Sequence, residues 1–478
     1  MKTHGGMGGG LEDGARLVFN GVLNRGDGSG YLLAPRTPQE LLAEIGGGEP
    51  PSPPTVPRPL PSYIDANDLA KAGWGVIWAP GLDPRVKEAL EPLLALRQRE
   101  AGPLYREVEA RPGETFFQLL KRLGASVAPV DPKRLPYYLL VVGEPAEVPF
   151  ELQYQLDVAH AVGRLCFATP EEYGRYALGV VAVEENGVRR PRRLGIFAVQ
   201  NQDDWATLSC REHLATPLAE SLRREVQDWE VDSCLGSEAT KARLRQHLGG
   251  EATPAMLLTC SHGLMYQVGD PLQPTDQGGL ICADWPGPER WKERLPTEQY
   301  LAARDIADTD DLSGLISFQF ACFSAGTPER DSFSRARGSA VARLAARDMM
   351  APLAQRLLGK PGGSALAVVG HVDQVFEASY LWPGVGRQLE TFEACLRGLM
   401  AGERLGLALE PFGHRHATIA TFLTELLEQW RRQPETRPVG VSDALGEAFL
   451  WLAHNDARGY LLLGDPAVRP AVGRDTLF

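Results

Sequence analysis

Two apolar runs in this 478-residue chain each stop on a side chain that can do acid–base or nucleophilic chemistry. LLTCSHGLMY (257–266) breaks at His262 and Gly263, and sixty positions after the histidine ISFQFACFSAG (316–326) breaks at Cys322. A thiol beside an imidazole is a nucleophile with its base. A free thiol has a pKa of about 8.5, and a neighbouring imidazole raises its thiolate fraction or takes its proton during attack. Gly263 lets a substrate backbone come close, and the N–H groups of Gly263 and Cys322 are candidates to receive a developing oxyanion. Taken singly, Cys322 and His262 each read as core filler. Taken together the catalytic reading gains weight, because both end an apolar run and both precede small, turn-forming residues. Cys260, two residues before His262 and inside the run, reads as core. His371, at a later strand end, is the second candidate base.

Those residues need a frame that brings them together. In open parallel sheets, functional groups collect beyond the carboxyl ends of the strands, and neighbouring strands lie about 5 Å apart. If 255–261 and 315–321 are neighbours, their ends deliver imidazole and thiol to one rim. The rest of the chain supplies such a sheet. GWGVIWAP (73–80) and YYLLVVG (137–143) read as buried strands, and DPRVKEALEPLLALRQREAG (83–102) as a helix with Asp83 as cap and Pro84 in its first turn. A helix is expected over 170–185. After the polar break NGVRRPRRLG (186–195) come strands at 194–200, 229–236, 255–261, 315–324 and 364–373, with helices at 210–226 and 237–250. The second of these helices is expected to open on a cap at Ser237. A helical stretch follows over 384–457, then a last strand in GYLLLGDPAV (459–468). Alternating strands and helices mean an α/β fold with a mostly parallel sheet covered on both faces. The expected divisions are a Gly/Pro-rich arm or pro-segment at 1–62, an α/β subdomain without the reactive pair at 63–188, a second α/β subdomain carrying it at 189–384, and a helical region ending in a strand at 385–478.

Composition removes other classes. With 44% hydrophobic and 23% charged residues the chain can bury real cores. A net charge of −12 argues against nucleic acid as a partner. MKTHGGMGGG lacks the apolar centre of a signal peptide, and no apolar stretch approaches the ~20 residues a membrane span needs, so the expected compartment is the cytoplasm and no membrane partner is expected. Seven cysteines without a C-x-x-C or zinc spacing give neither a disulfide framework nor a metal site. The other histidines (160, 213, 247, 414, 416, 454) have no partnering motif, and VVGEPAE (141–147) lacks phosphate-loop spacing. No cofactor is expected.

TCSHG followed by QFACFSAG resembles the caspase-like clan of cysteine peptidases, whose caspase members carry Q-A-C-[RQG]-G with a histidine about 50 residues upstream. Here the stretch is Phe320-Ala321-Cys322-Phe323-Ser324, without the glycine at its place. LDVAHAVGRLCFATPEEYGRYA (156–177) is similar to a strand-and-helix segment of the gingipain group, and GSALAVVGHVDQVFEASYLWPG (363–384) to the strand after the cysteine in bacterial CHAT and separase-like proteins. The resemblance spans roughly 137–384. It implies a caspase-like fold of two α/β subdomains, with the pair in the second, and proteolysis through a Cys322–His262 dyad. It also implies cleavage after a basic residue. Clostripain, legumain and metacaspase relatives place an Asp two residues before the cysteine, where this chain has Phe320. Separase-like members take the acid from the loop after the next strand, which corresponds to Asp373. A carboxylate there would grip an Arg side chain with two hydrogen bonds. The competing role for Asp373 is a cap on a helix starting near Gln374. Relatives are often activated by cutting the linker after the cysteine. Here that is GTPERDSFSRARGSAVARLAARDMM (326–350) with Arg330, Arg335, Arg337, Arg343 and Arg347, whose plainer reading is an amphipathic helix over 339–350. The expected partners are a protein or peptide substrate and an upstream activating protease, in bacterial defence or cell death. The alternatives are an inactive scaffold that binds partners, and a non-proteolytic thiol hydrolase or transferase.

Overall fold

The computed structural model describes residues 21–25, 28–31, 60–249, 252–333, 342–432 and 441–473. Ten strands form one sheet: β1 (Trp74–Trp78), β2 (Tyr105–Glu109), β3 (Tyr138–Val142), β4 (Ala161–Leu165), β5 (Arg193–Val199), β6 (Glu230–Gly236), β7 (Met256–Cys260), β8 (Ile316–Phe320), β9 (Ala367–His371) and β10 (Tyr460–Gly464). Their spatial order is β2-β1-β3-β4-β10-β9-β8-β7-β5-β6. β1, β3, β4, β7, β8, β9 and β10 are buried at every position, as strands covered on both faces must be. The fold is α/β with a mostly parallel sheet flanked by helices.

All pairings are parallel but one, β10 against β9. The sheet therefore consists of two five-strand halves that run in opposite directions and meet at that seam. The carboxyl ends of β5 to β9 share an edge with the amino ends of β3, β4 and β10. The last described strand thus lies at the centre of the sheet, locked to the first half. Asp465, in the turn after β10, accepts hydrogen bonds from Trp74 Nε1 at 2.9 Å and from the buried Arg97 at 2.6 Å. Glu184 binds the other side of that guanidinium at 2.6 and 2.7 Å. A buried cation with carboxylates on two sides ties the helices Pro84–Ala101 and Pro170–Glu184 to the final turn.

Local signals explain most elements. Asp83 caps its helix through Arg85 N, with Pro84 at the first position. The helix expected over 210–226 starts earlier, at Trp205, because Asp204 caps it; the run Trp205–Glu225 includes a π-helical turn at Arg211–Ala215. The helix expected over 237–250 is shorter, Lys241–His247, and its cap is Thr240, not Ser237. The described part of 339–350 is not helical; it ends in the short strand Met349–Met350, paired with Gly326–Thr327. Within the arm, Gly21–Arg25 and Gly28–Tyr31 form a hairpin in a separate five-stranded sheet. Apart from that hairpin and residues 60–62, the expected arm lies outside the described residues.

Candidate active site

β7 and β8 are neighbours, with Cys260 opposite Phe320. His262 and Cys322 follow those positions by two residues each and so leave the sheet side by side. The contact is backbone against backbone. A Cβ on Gly263 would stand 1.7 Å from Cys322 O and 2.9 Å from Cys322 N, so only glycine fits where the two strand ends meet. His262 and Cys322 are both fully buried.

The imidazole has a partner that the sequence reading did not name. His262 Nε2 lies 2.7 Å from Asp204 Oδ2. Asp204 sits just past the end of β5, which pairs with β7 on the side opposite β8. The same oxygen accepts the Thr207 hydroxyl at 2.8 Å, and Oδ1 accepts Ala206 N–H at 3.2 Å. An ionised carboxylate only accepts, so Nε2 carries the hydrogen toward Asp204, and in the neutral ring the lone pair is on Nδ1. The ring also stands edge-on to Trp285, centroids 6.0 Å apart. Asn201 fixes that turn, donating to Cys282 O at 3.0 Å and Trp285 O at 2.7 Å. Strand, cap and turn thus orient one imidazole. The signal for Asp204 is present in the chain: NQDDWATLS puts two carboxylates at the carboxyl end of a strand, the same kind of position that His262 and Cys322 occupy. Only the strand order, β5 beside β7, makes one of them the partner of His262.

The thiol faces elsewhere. Cys322 Sγ accepts Val375 N–H at 3.3 Å and lies 3.7 Å from Val375 O. Burial pushes its pKa well up. Backbone contacts between the loops after β8 and β9 hold it there. Phe323 N–H donates to Asp373 O at 2.8 Å, Ala325 N–H to His371 O at 3.0 Å, and His371 N–H to Ser324 Oγ at 3.0 Å. Phe323 and Asp373 both adopt positive φ, 59° and 71°, a strained conformation for residues with side chains.

Asp373 is buried at this rim. Its Oδ1 accepts Gln374 N–H at 2.9 Å, and its Oδ2 accepts Ser332 N–H at 3.0 Å, from the loop that follows the cysteine. Burial, and next the charge of Asp331, push the Asp373 carboxyl up to about 7. The first regular turn after it is the 3-10 segment Glu377–Ser379, so Asp373 holds the loop and not a helix beginning at Gln374. Phe333, next in the loop, packs against Phe376 (4.7 Å between centroids) and Trp451 (5.9 Å). The two arms of the loop pair with each other: Asp331 N–H donates to Ala342 O at 3.0 Å and Leu344 N–H to Glu329 O at 2.8 Å. Arg330 and Arg343 face each other across this bridge. Arg330 is exposed; Arg343 pairs with Glu329 at 3.2 Å and Arg347 with Glu144 at 3.0 Å, both with exposed side chains. Arg335 and Arg337 lie outside the described residues.

His371, the second candidate base, is fully buried with Nε2 2.7 Å from Asp456 O and Nδ1 3.4 Å from Asp373 O. Cys260 is buried in β7. Among the described residues, no three His, Cys, Asp or Glu side chains group to hold a metal ion, and no helix is long and apolar enough to cross a membrane.

No protein-family model matches the chain, and no curated protein matches it. Among solved structures it is similar to one described as the structure of a protease, at 12% identity and a TM-score of 0.48, covering 85% of this chain and 81% of that one. It is also similar to the Arg-specific cysteine proteinase gingipain R, at 12% identity and a TM-score of 0.44, covering 84% and 78%. A third is the complex of Porphyromonas gingivalis RgpB pro- and mature domains, at 12% and 0.42, covering 83% and 80%.

Proposed function

We propose that the chain is a cysteine endopeptidase that cuts after basic residues, Arg before Lys. The observation that carries this reading is an imidazole held by a carboxylate, His262 on Asp204, one residue before a glycine pressed onto the Cys322 backbone. Cys322 turns from Val375 toward His262, gives its proton to Nδ1, and its sulfur attacks the scissile carbonyl. The N–H groups of Gly263 and Cys322 receive the oxyanion. His262 returns the proton to the leaving amine as the C–N bond breaks. Water then cleaves the thioester, its proton passing through the same nitrogen to the thiol. Asp204 keeps the ring oriented and stabilises it while it is charged. No cofactor takes part.

Asp373 is the acid that would grip a P1 guanidinium. That group competes with Ser332 N–H for Oδ2, so the substrate pocket and the loop after the cysteine exclude each other. Cutting the loop at Arg330, Arg335, Arg337, Arg343 or Arg347, by the enzyme itself or an upstream protease, would release Ser332 and Phe333 and open the pocket. The described conformation, with a buried thiol bound to Val375, suits a latent form. The setting that goes with the resemblance is bacterial defence or cell death, in the cytoplasm.

The same buried thiol favours a second reading, an inactive scaffold that binds partners. An Arg-directed thiol-reactive inhibitor, applied before and after limited proteolysis of the loop and mapped by mass spectrometry, separates the two. The peptidase is labelled at Cys322 after the loop is cut, and Cys322→Ala abolishes the label. No label at Cys322 after cutting leaves the scaffold.

A further inference from the structure

The hairpin at the amino end of the described chain docks beside the catalytic histidine, and its direction carries meaning. Gly263–Tyr266, the strand that leaves His262, belongs to the separate five-stranded sheet. On one side it pairs with Leu280–Ile281. On the other it pairs with Gly21–Arg25, in parallel, Gly21 opposite Gly263 and Asn24 opposite Tyr266. Gly28–Tyr31 then pairs with Gly21–Arg25 from outside. Between 31 and 60 the chain is rich in Pro and Gly: GGGEPPSPPTVPRPLP connects the hairpin to the rest. The hairpin is joined to the body through residues 32–59 of the same chain, so it meets this edge as an intramolecular partner. Without it, the main-chain donors and acceptors of one side of Gly263–Tyr266 would be an open strand edge, the feature by which sheets capture extended peptides.

We infer that this edge is a receptor for an extended peptide, held in the described form by the chain's own residues 21–25, and that in the peptidase it takes the part of a substrate that follows the cut bond. The inference rests on the peptidase reading only for its second half. Parallel pairing makes residues 21 to 25 run outward from Gly263, which touches Cys322, toward Tyr266. A substrate whose scissile carbonyl lies at Cys322 and whose chain continues along this edge runs the same way. Its residues beyond the cut occupy the places of 21 to 24. Recognition through main-chain hydrogen bonds is tolerant of sequence, and at about 3.3 Å per residue the four paired positions take four leaving-side residues. The strand rests on an apolar core in which Leu264 and Tyr266 cluster with Ile281, Trp285 and Tyr300.

The test uses the full-length chain with Val22→Pro and Leu23→Pro, which removes two N–H donors from the hairpin. A second form carries a protease site within 48–57 and is cut after folding, so that the amino-terminal piece dissociates from an already folded body. The probe is a fluorescent peptide of residues 21–31. Both forms should bind it about tenfold or more tighter than the unaltered chain, and the amides of 264–266 should exchange faster and be protected again by the peptide. If the cut form keeps its melting temperature and binds no better, the receptor assignment is wrong. For the second half, substrates with four residues after the cut should show a KM about fivefold lower in the opened forms, while an Arg reporter with no leaving-side residues is unchanged. Equal changes in both substrates would overturn the leaving-side assignment. Peptide bound but nothing cleaved, even after the loop is cut, would remove the peptidase reading and leave the receptor in place.

Discussion

Two histidines end neighbouring parts of one rim, and only one of them has the surroundings of a base. His262, after β7, and His371, at the end of β9, are both fully buried. His262 has a carboxylate at 2.7 Å and a glycine next in sequence that opens its backbone to Cys322. His371 has backbone carbonyls at both ring nitrogens, with the Asp456 carboxylate no nearer than 4.0 Å. Gly459 packs on its ring so closely that a Cβ would stand 2.1 Å from Cε1. Burial holds the His371 pKa below its ordinary value. A carboxylate stabilises the imidazolium that proton transfer creates, whereas the His371 ring faces main-chain carbonyls at both nitrogens, which fix it in place and bring no full charge to stabilise an imidazolium. Residue type and place in the sheet are shared, so the partner decides whether a histidine works as a base or as a strut.

The sharpest way to break this comparison is to remove each ring. His262→Ala, like Cys322→Ala, should lower kcat/KM for Arg peptides by about 10³-fold or more, with the melting temperature nearly unchanged. His371→Ala should act the other way round. It leaves a cavity and unpaired carbonyls in the seam between the halves, costing about 2–4 kcal/mol of stability in denaturant titrations. The remaining folded enzyme should keep kcat within about threefold. If His371→Ala loses turnover while folded, the assignment of base and strut is reversed.

Removing the carboxylate tests why His262 differs. Asp204→Asn keeps the shape but replaces an acceptor with an amide, which favours the wrong tautomer. The expected loss is about 10²-fold in kcat, with little change in KM, measured in steady-state kinetics. Asp204→Ala should lose in addition about 1 kcal/mol of stability, because the residue also caps the helix from Trp205. Equal kcat in Asp204→Asn and the unaltered enzyme would reduce Asp204 to a cap.

How much of this was legible depends on distance in the chain. His262, Gly263 and Cys322 could be read because each follows a run of buried strand residues, and a one-dimensional pattern is enough to place a strand end. The α/β class followed from the alternation of such runs with helices. Asp204 could not be assigned, because its role depends on β5 lying beside β7, and sheet order is set by packing of residues far apart in sequence. The antiparallel seam was equally hidden: Tyr460–Gly464 looks like any buried strand, and only its pairing with His371 to Ala367 shows its direction. On pattern alone 339–350 is an amphipathic helix with solvated arginines, but cross-strand bonds from Glu329 and Asp331 draw residues 342–344 out straight. Phe333, a lone aromatic in a polar loop, gave no hint that it would lodge between Phe376 and Trp451.

The smallest effect concerns Asp373, and it separates the two roles given to that carboxyl. Its pKa is raised in the folded chain to about 7, against about 3.9 in an unfolded one. Between about pH 4 and pH 7 the folded chain therefore holds a proton there that the unfolded chain has released. Stability from this group is greatest below about pH 4, falls as pH rises toward 7, and is level above it. Asp373→Asn, neutral throughout, should remove that fall from a plot of melting temperature against pH. Asp331→Asn should narrow the window from its upper end, because the charge of Asp331 is one cause of the raised folded-state value. A P1 guanidinium binds only the ionised carboxyl, so KM for Arg peptides in the loop-cut form should rise as pH drops and the carboxyl takes up its proton. In Asp373→Asn that KM should be high and independent of pH in the same range. A stability profile that flattens while Arg preference and the KM profile persist would make Asp373 a fastening for the Ser332 loop alone, and the specificity acid would have to be sought elsewhere on the rim.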